Sequence, residues 1–237
     1  MAALLQVALN GSRTATEHPG IPRTPGELAQ AARSSVAAGA RALHLHPYDS
    51  AGLETLAAEP CAAAIDAVRA VCPGVPISLS TSAAIEPDPA RRRALVAGWT
   101  VLPELVSANQ GEPGIAKLCA DLIGRGVGIE AGLLGVADAA AFVRSGLANR
   151  CVRALIEPLA ADPTQAVADA ALMEESWSAP ASRSSRSTTA TASRAGPSTS
   201  ARSREGTASG PASRTRPCSR TGAMRPITRA SSAPLSR

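Results

Sequence analysis

Ala38-Gly39-Ala40-Arg41-Ala42-Leu43-His44-Leu45-His46 is the stretch that decides the fold. It reads as a helix end followed by a short buried strand. Residues two apart on a strand point the same way, so both imidazoles leave one face together at the strand's carboxyl end. In α/β folds that end is where chemistry sits. Two neutral imidazoles one side chain apart form half of a site for Zn²⁺ or a similar ion. The alternative is a pair of histidines that cap the strand and hydrogen-bond to their neighbours.

Outward from this stretch, short apolar runs alternate with amphipathic ones. Strands are expected at Leu4–Asn10, Ala42–His46, Pro76–Ser80, Leu105–Asn109, Gly128–Gly132 and Val152–Glu157. Helices are expected from Thr24-Pro25-Gly26-Glu27 to about Ala38, then at Ala58–Val71, Asp88–Gly98, Pro113–Gly124 and Ala137–Arg144, and from Asp162 to about Glu175. Thr24 has the character of an N-cap, with Pro25 at the first helical position and Glu27 in the first turn. The Arg91-Arg92-Arg93 run is read as a solvated helix face. Six βα units in series imply a parallel sheet with right-handed crossovers. A doubly wound sheet and a TIM-type barrel both accommodate six units, and a complete barrel needs eight. No phosphate-binding glycine loop follows the first strand.

Near Glu175 the composition breaks. Residues 1–175 carry 13 Lys and Arg against 18 Asp and Glu, a net −5, whereas residues 176–237 carry 11 arginines against one glutamate, a net +10. The basic balance of the chain is therefore a property of the tail. Almost all of that tail is Ser, Arg, Thr, Ala, Pro and Gly, which cannot bury enough surface to offset chain entropy, so it is expected to be disordered. It also lacks the aromatic interleaving of a nucleic-acid binder. No apolar run reaches the ~18–20 residues that would span a bilayer. The N-terminus has no signal-peptide pattern. Five dispersed cysteines without a CxxC pair suit free thiols in a reducing cytoplasm.

The strand ends carry polar groups in sequence: Asn10, then His44 and His46, Ser80-Thr81-Ser82, Asn109, Glu130 and Glu157. In a barrel such groups converge on one mouth. Glu130, flanked by Gly128, Ile129, Ala131 and Gly132, needs a partner or a raised pKa. His18, in Glu17-His18-Pro19-Gly20, reads as a loop histidine. No Ser/His/Asp hydrolase signature is present.

Asn10-Gly11-Ser12-Arg13-Thr14, His18-Pro19, Thr24-Pro25-x-Glu27, His44-Leu45-His46, Ser80-Thr81 and Asn109 occur in that order. The ordered set resembles the β-keto acid cleavage enzymes, the family of 3-keto-5-aminohexanoate cleavage enzyme, over about residues 5–175. The resemblance implies a Zn²⁺-dependent TIM-type (β/α) barrel, here incomplete at about six of eight units. It implies condensation of a β-keto acid with acetyl-CoA to give acetoacetate and a new CoA thioester. It further implies His44 and His46 as metal ligands, Ser80 and Thr81 as holders of the substrate carboxylate with Asn10 and Asn109 in the substrate site, and Glu130 as a catalytic group near the metal. The metal would polarise the keto oxygen and stabilise an enolate that attacks the thioester. Intact members are expected to be homo-oligomers in the cytoplasm. Arg13 stands where some members carry a glutamate.

The resemblance also calls for a seventh strand ending in a His-Gly-rich turn. An eighth would end in Gly-Leu-Glu-Asp, supplying the third ligand and a catalytic aspartate. Residues 176–237 match neither as written. If the gene for the tail is read one nucleotide back, residues 187–192 can give V-D-H-G-D-G, and residues 206–215 can give H-R-V-R-T-G-L-E-D followed by T. Family-like Asp-Gly and Asp-Asn-Ala segments follow from residues 221–230. On this reading the frame breaks near Glu175 and the encoded product is impaired. The competing reading is a non-catalytic α/β domain whose basic tail binds acidic partners or RNA.

Overall fold

The computed structural model describes residues 4–13 and 17–178, together with the two-residue strand 189–190. Six βα units follow one another. Strands β1 to β6 are Gln6–Ala8, Ala42–Leu45, Ile77–Ser80, Leu105–Asn109, Gly128–Leu133 and Arg153–Ile156. Helices α1 to α6 are Pro25–Ala37, Ala58–Val71, Pro89–Ala97, Ile115–Gly124, Val136–Arg144 and Pro163–Ser178. All pairings are parallel and the strands lie in chain order. That order, with every helix returning to start a neighbouring strand, is the barrel alternative rather than the doubly wound one.

The sheet curls into a partial barrel. Gln6 on β1 and Arg153 on β6 hydrogen-bond across its inside, Nη2 to Oε1 at 3.0 Å. Flat strands five places apart would stand about 24 Å from each other, out of reach of both side chains. Beyond β6 lies β7, Thr189–Ala190, parallel to it. Sequence reading gave no strand in the tail. The expectation of disorder for the rest of it lies outside the described residues.

Alternation along the strands sorts residues into two faces. Val7, Leu43, Leu45, Ile77, Leu79, Val106, Ala108, Ile129, Ala131, Ala154 and Ile156 form the buried layer that packs on the helices. Residues of opposite parity line the inside: Gln6, His44, Ser78, Glu130 and Arg153, with Ser80 and Asn109 nearer the carboxyl ends. The apolar core therefore sits between sheet and helices, and the lumen is polar.

Local signals explain the helix starts. Thr24 Oγ1 accepts from the Glu27 N–H while the Glu27 carboxylate accepts from the Thr24 N–H, a reciprocal cap that fixes α1. Asp88 caps α3 by accepting from the Arg91 N–H at 2.7 Å, with Pro89 behind it. The arginine run splits. Arg91 is exposed, but Arg92 is only 1% exposed and donates to Glu112 Oε2 and the Pro113 carbonyl, both at 2.7 Å. A solvated face is thus corrected to one buried guanidinium, because the helical turn aims Arg92 at the β4–α4 loop. Among the described residues no helix is long and apolar enough to cross a membrane. The four described cysteines are free.

Candidate functional site

The centre of the site is the histidine pair. Both side chains enter the lumen from β2 and the residue after it, as their spacing requires. The rings meet edge to face, with centroids 5.1 Å apart and planes at 84°. Their Nε2 atoms lie 3.1 Å apart. Each Nδ1 has its own partner: Ser78 Oγ at 3.3 Å for His44, and Glu54 Oε1 at 3.2 Å for His46. Burial pushes His44 down to about 3, with unfavourable electrostatics from His46 and Arg153 behind it, so this imidazole is neutral across the physiological range.

Asn10 holds the second histidine in place. Its Nδ2 donates to the His46 carbonyl at 2.8 Å and to the Pro22 carbonyl at 3.1 Å. Its Oδ1 accepts from the N–H groups of His46 and Gly11, each at 2.9 Å. The side chain is fully used in stitching the β1 and β2 ends together. Tyr48 adds a second stitch, its hydroxyl donating to the Gly11 carbonyl at 2.7 Å. Burial works to raise the Glu54 carboxyl, but hydrogen bonds from His46, Ser12 and Tyr48 outweigh it and hold the group below its usual range.

Deeper in the lumen, Glu130 is fully buried. Arg153 pairs with Oε1 through Nε at 2.6 Å and through Nη2. Ser78 Oγ and Gln6 Nε2, the latter at 3.2 Å, donate to Oε2. The carboxylate that sequence reading placed near the metal thus reaches His44 through Ser78, with both oxygens already engaged by the protein. At the carboxyl end of β6, burial raises Glu157 to about 7, with repulsion from Glu130 behind it.

The remaining expected residues lie on β3 and β4. Ser80 is buried, and among the described residues its Oγ accepts only a long bond, 3.4 Å, from the Ser82 N–H. Thr81 spends its hydroxyl on the Ser107 carbonyl at 2.8 Å, tying β3 to β4. Asn109 donates to Glu112 Oε1 at 2.8 Å, and Glu112 is in turn held by Arg92. Among the described residues no hydrogen bond joins Ser80, Thr81 or Asn109 to the histidine pair. His18 is a loop residue whose Nδ1 accepts from the Gly20 N–H. Burial pushes Cys61 and Cys151 up to about 12 and Cys119 to about 11, so none serves as a thiolate.

Sequence reading missed Gln6, Ser78, Arg153 and Glu54. The first three carry a signal, since each is a polar residue at a lumen-facing position of an otherwise apolar strand. Glu54 carries none, because its loop path alone brings it back to His46.

A divalent cation fits the donor set. Two Zn–N bonds of about 2.0–2.1 Å at a tetrahedral angle set their nitrogens about 3.3 Å apart, close to the observed 3.1 Å. Each ring also has a partner on its far nitrogen, the arrangement that orients metal-bound imidazoles. Among the described residues no group of three or more His, Cys, Asp or Glu could hold a metal ion.

A family model described as beta-keto acid cleavage enzyme matches residues 3–161. The 3-keto-5-aminohexanoate cleavage enzyme of Fusobacterium nucleatum is 36% identical over 83 residues, and that of Acetoanaerobium sticklandii 32% identical over 83 residues. Each match spans 35% of this chain and 30% of the relative. Among solved structures, the 3-dehydroquinate dehydratase of Geobacillus kaustophilus superposes with a TM-score of 0.53 at 13% identity, covering 80% of this chain and 74% of that one. At that identity the likeness speaks to the fold alone.

Proposed function

The chain belongs to the beta-keto acid cleavage enzyme family, and from that premise we propose that its site is built to react a β-keto acid with acetyl-CoA, yielding acetoacetate and the CoA thioester of the remaining acyl group. The reaction balances without an oxidant, since a two-carbon acetate unit and an acyl group exchange partners. Zn²⁺ held by His44 and His46 would supply Lewis acidity to the substrate's keto oxygen.

The chain's own residues contribute positioning. Asn10 fixes the His46 backbone by two hydrogen bonds and ties it to Gly11 and Pro22 by two more, so the Nε2 position is set by the ends of β1 and β2 together. Ser80 is the hydroxyl best placed to meet a substrate carboxylate, because its own hydrogen bonding is weak. Thr81 acts through the backbone it ties. Asn109 presents its amide at the end of β4, steadied by Glu112. Glu130 is an internal anion that orients Ser78, and through it His44.

The observation that carries this reading is the pair of imidazole nitrogens 3.1 Å apart in a polar lumen. We further propose that the encoded chain is impaired, because the resemblance calls for a third ligand and an aspartate that residues 176–237 do not spell as written.

The test compares the 237-residue chain with a frame-restored version. Each is loaded with Zn²⁺ and incubated with acetyl-CoA and a panel of β-keto acids, with acetoacetate and new thioesters read by mass spectrometry. Activity in the restored chain, lost in H44A and H46A, is expected. Full activity in the 237-residue chain would refute the impairment. No activity and no bound zinc in either would refute the enzymatic reading.

A further inference from the structure

We propose that Glu54 and Ser78 are positioning residues that set the tautomers of His46 and His44, so that two bare Nε2 lone pairs face one point. The proposal rests on the reading of this pair as the metal-holding one.

The tautomers follow from which groups can donate. A carboxylate only accepts. Glu54 Oε1 lies 3.2 Å from Nδ1 of His46, so that nitrogen carries a proton, and in the neutral imidazole Nε2 is then bare. Ser78 has a single hydroxyl proton, and it goes to Glu130 Oε2. Glu130 cannot return it, since Arg153 and Gln6 fill the same carboxylate with further donors. Ser78 Oγ is therefore an acceptor toward His44, 3.3 Å from Nδ1. His44 then carries its proton on Nδ1 as well. The two Nε2 atoms at 3.1 Å cannot bond to each other in these tautomers. They repel, unless an electron-poor centre stands between them.

The two supports differ in origin. Ser78 is the last link of a chain that crosses the lumen from Arg153 on β6 through Glu130 on β5. Glu54 comes from the loop after β2 and is itself held by Ser12 Oγ at 3.2 Å. One histidine is thus fixed by the barrel interior and the other by its rim. Fixing both tautomers in advance removes an ordering cost from metal binding.

The decisive variant is Glu54→Gln. It keeps the shape but offers an N–H to Nδ1, which favours the opposite tautomer of His46. The full chain is examined without metal by ¹⁵N–¹H correlation of the histidine ring nitrogens, and with Zn²⁺ by competition against a chromophoric chelator. Wild type is expected to show protons on Nδ1 of both rings. E54Q should move the His46 proton to Nε2 and weaken Zn²⁺ binding by about 10- to 100-fold, with an unchanged melting midpoint. Glu54→Asp should keep the Nδ1 proton. Zinc binding by wild type with tautomer and affinity unaltered in E54Q overturns the proposal. If wild type binds no zinc yet E54Q moves the proton, the positioning role stands and the metal reading fails.

Discussion

Gln6 and Arg153 sit on the first and sixth strands, 147 residues apart in sequence, and meet at 3.0 Å inside the curl of the sheet. The same arginine neutralises Glu130, so a fully buried carboxylate, a guanidinium and an amide form one closed set. Removing either charged member leaves the other stranded where water cannot reach it.

Arg153→Met should therefore cost about 3–5 kcal/mol of folding stability, measured by urea unfolding. Adding Glu130→Gln should restore a large part of the loss, since the orphaned charge goes too. A double variant as unstable as the two single losses combined would show that the pair is not acting as a unit.

Glu157 sets a pH dependence. Burial and the nearby Glu130 raise its carboxyl from 4.5 to about 7. Between those values the folded chain holds a proton that the unfolded chain has released. Stability from this group is therefore intact below about pH 4.5 and falls as pH climbs through 7, by roughly 1–3 kcal/mol. Glu157→Gln should flatten that fall. Unfolding curves at pH 5 and pH 8 check it, and an unchanged difference between the two in the variant would be the wrong result.

Arg92 and Arg91 are neighbours with opposite expectations. Arg92→Ala leaves Glu112 without its ion-pair partner and the Pro113 carbonyl without its donor, at a cost of about 3 kcal/mol. Arg91→Ala, on a side chain that is 74% exposed, should change stability by less than about 0.5 kcal/mol. Comparable thermal shifts for the two would contradict the buried placement.

Gly132 lies against Asn109. A Cβ there would come within 2.5 Å of Asn109 Oδ1. Gly132→Ala should displace that amide and destabilise the fold by about 1–3 kcal/mol. Restoration by a smaller residue at 109, Asn109→Ser, in the double variant would locate the strain. No restoration would place it elsewhere.

The six βα units were legible because parity and period are local properties. Apolar residues at alternate positions mark a strand packed on helices, and Thr24, Asp88 and their prolines announce helix starts within four residues. The histidine pair was legible for the same reason, since two side chains two apart on one strand must share a face. The family, too, was carried by motifs in order along the chain.

What only the tertiary structure decided is who meets whom across the lumen. Curling brings strands one and six together, so Gln6, Glu130 and Arg153 form one set from three distant segments, and Ser78 becomes the link to His44. Glu54 turns toward His46 because of a loop path, and Arg92 is buried because a helix faces one particular loop. These outcomes depend on closure of the sheet, a long-range geometry to which no window of neighbouring residues is sensitive.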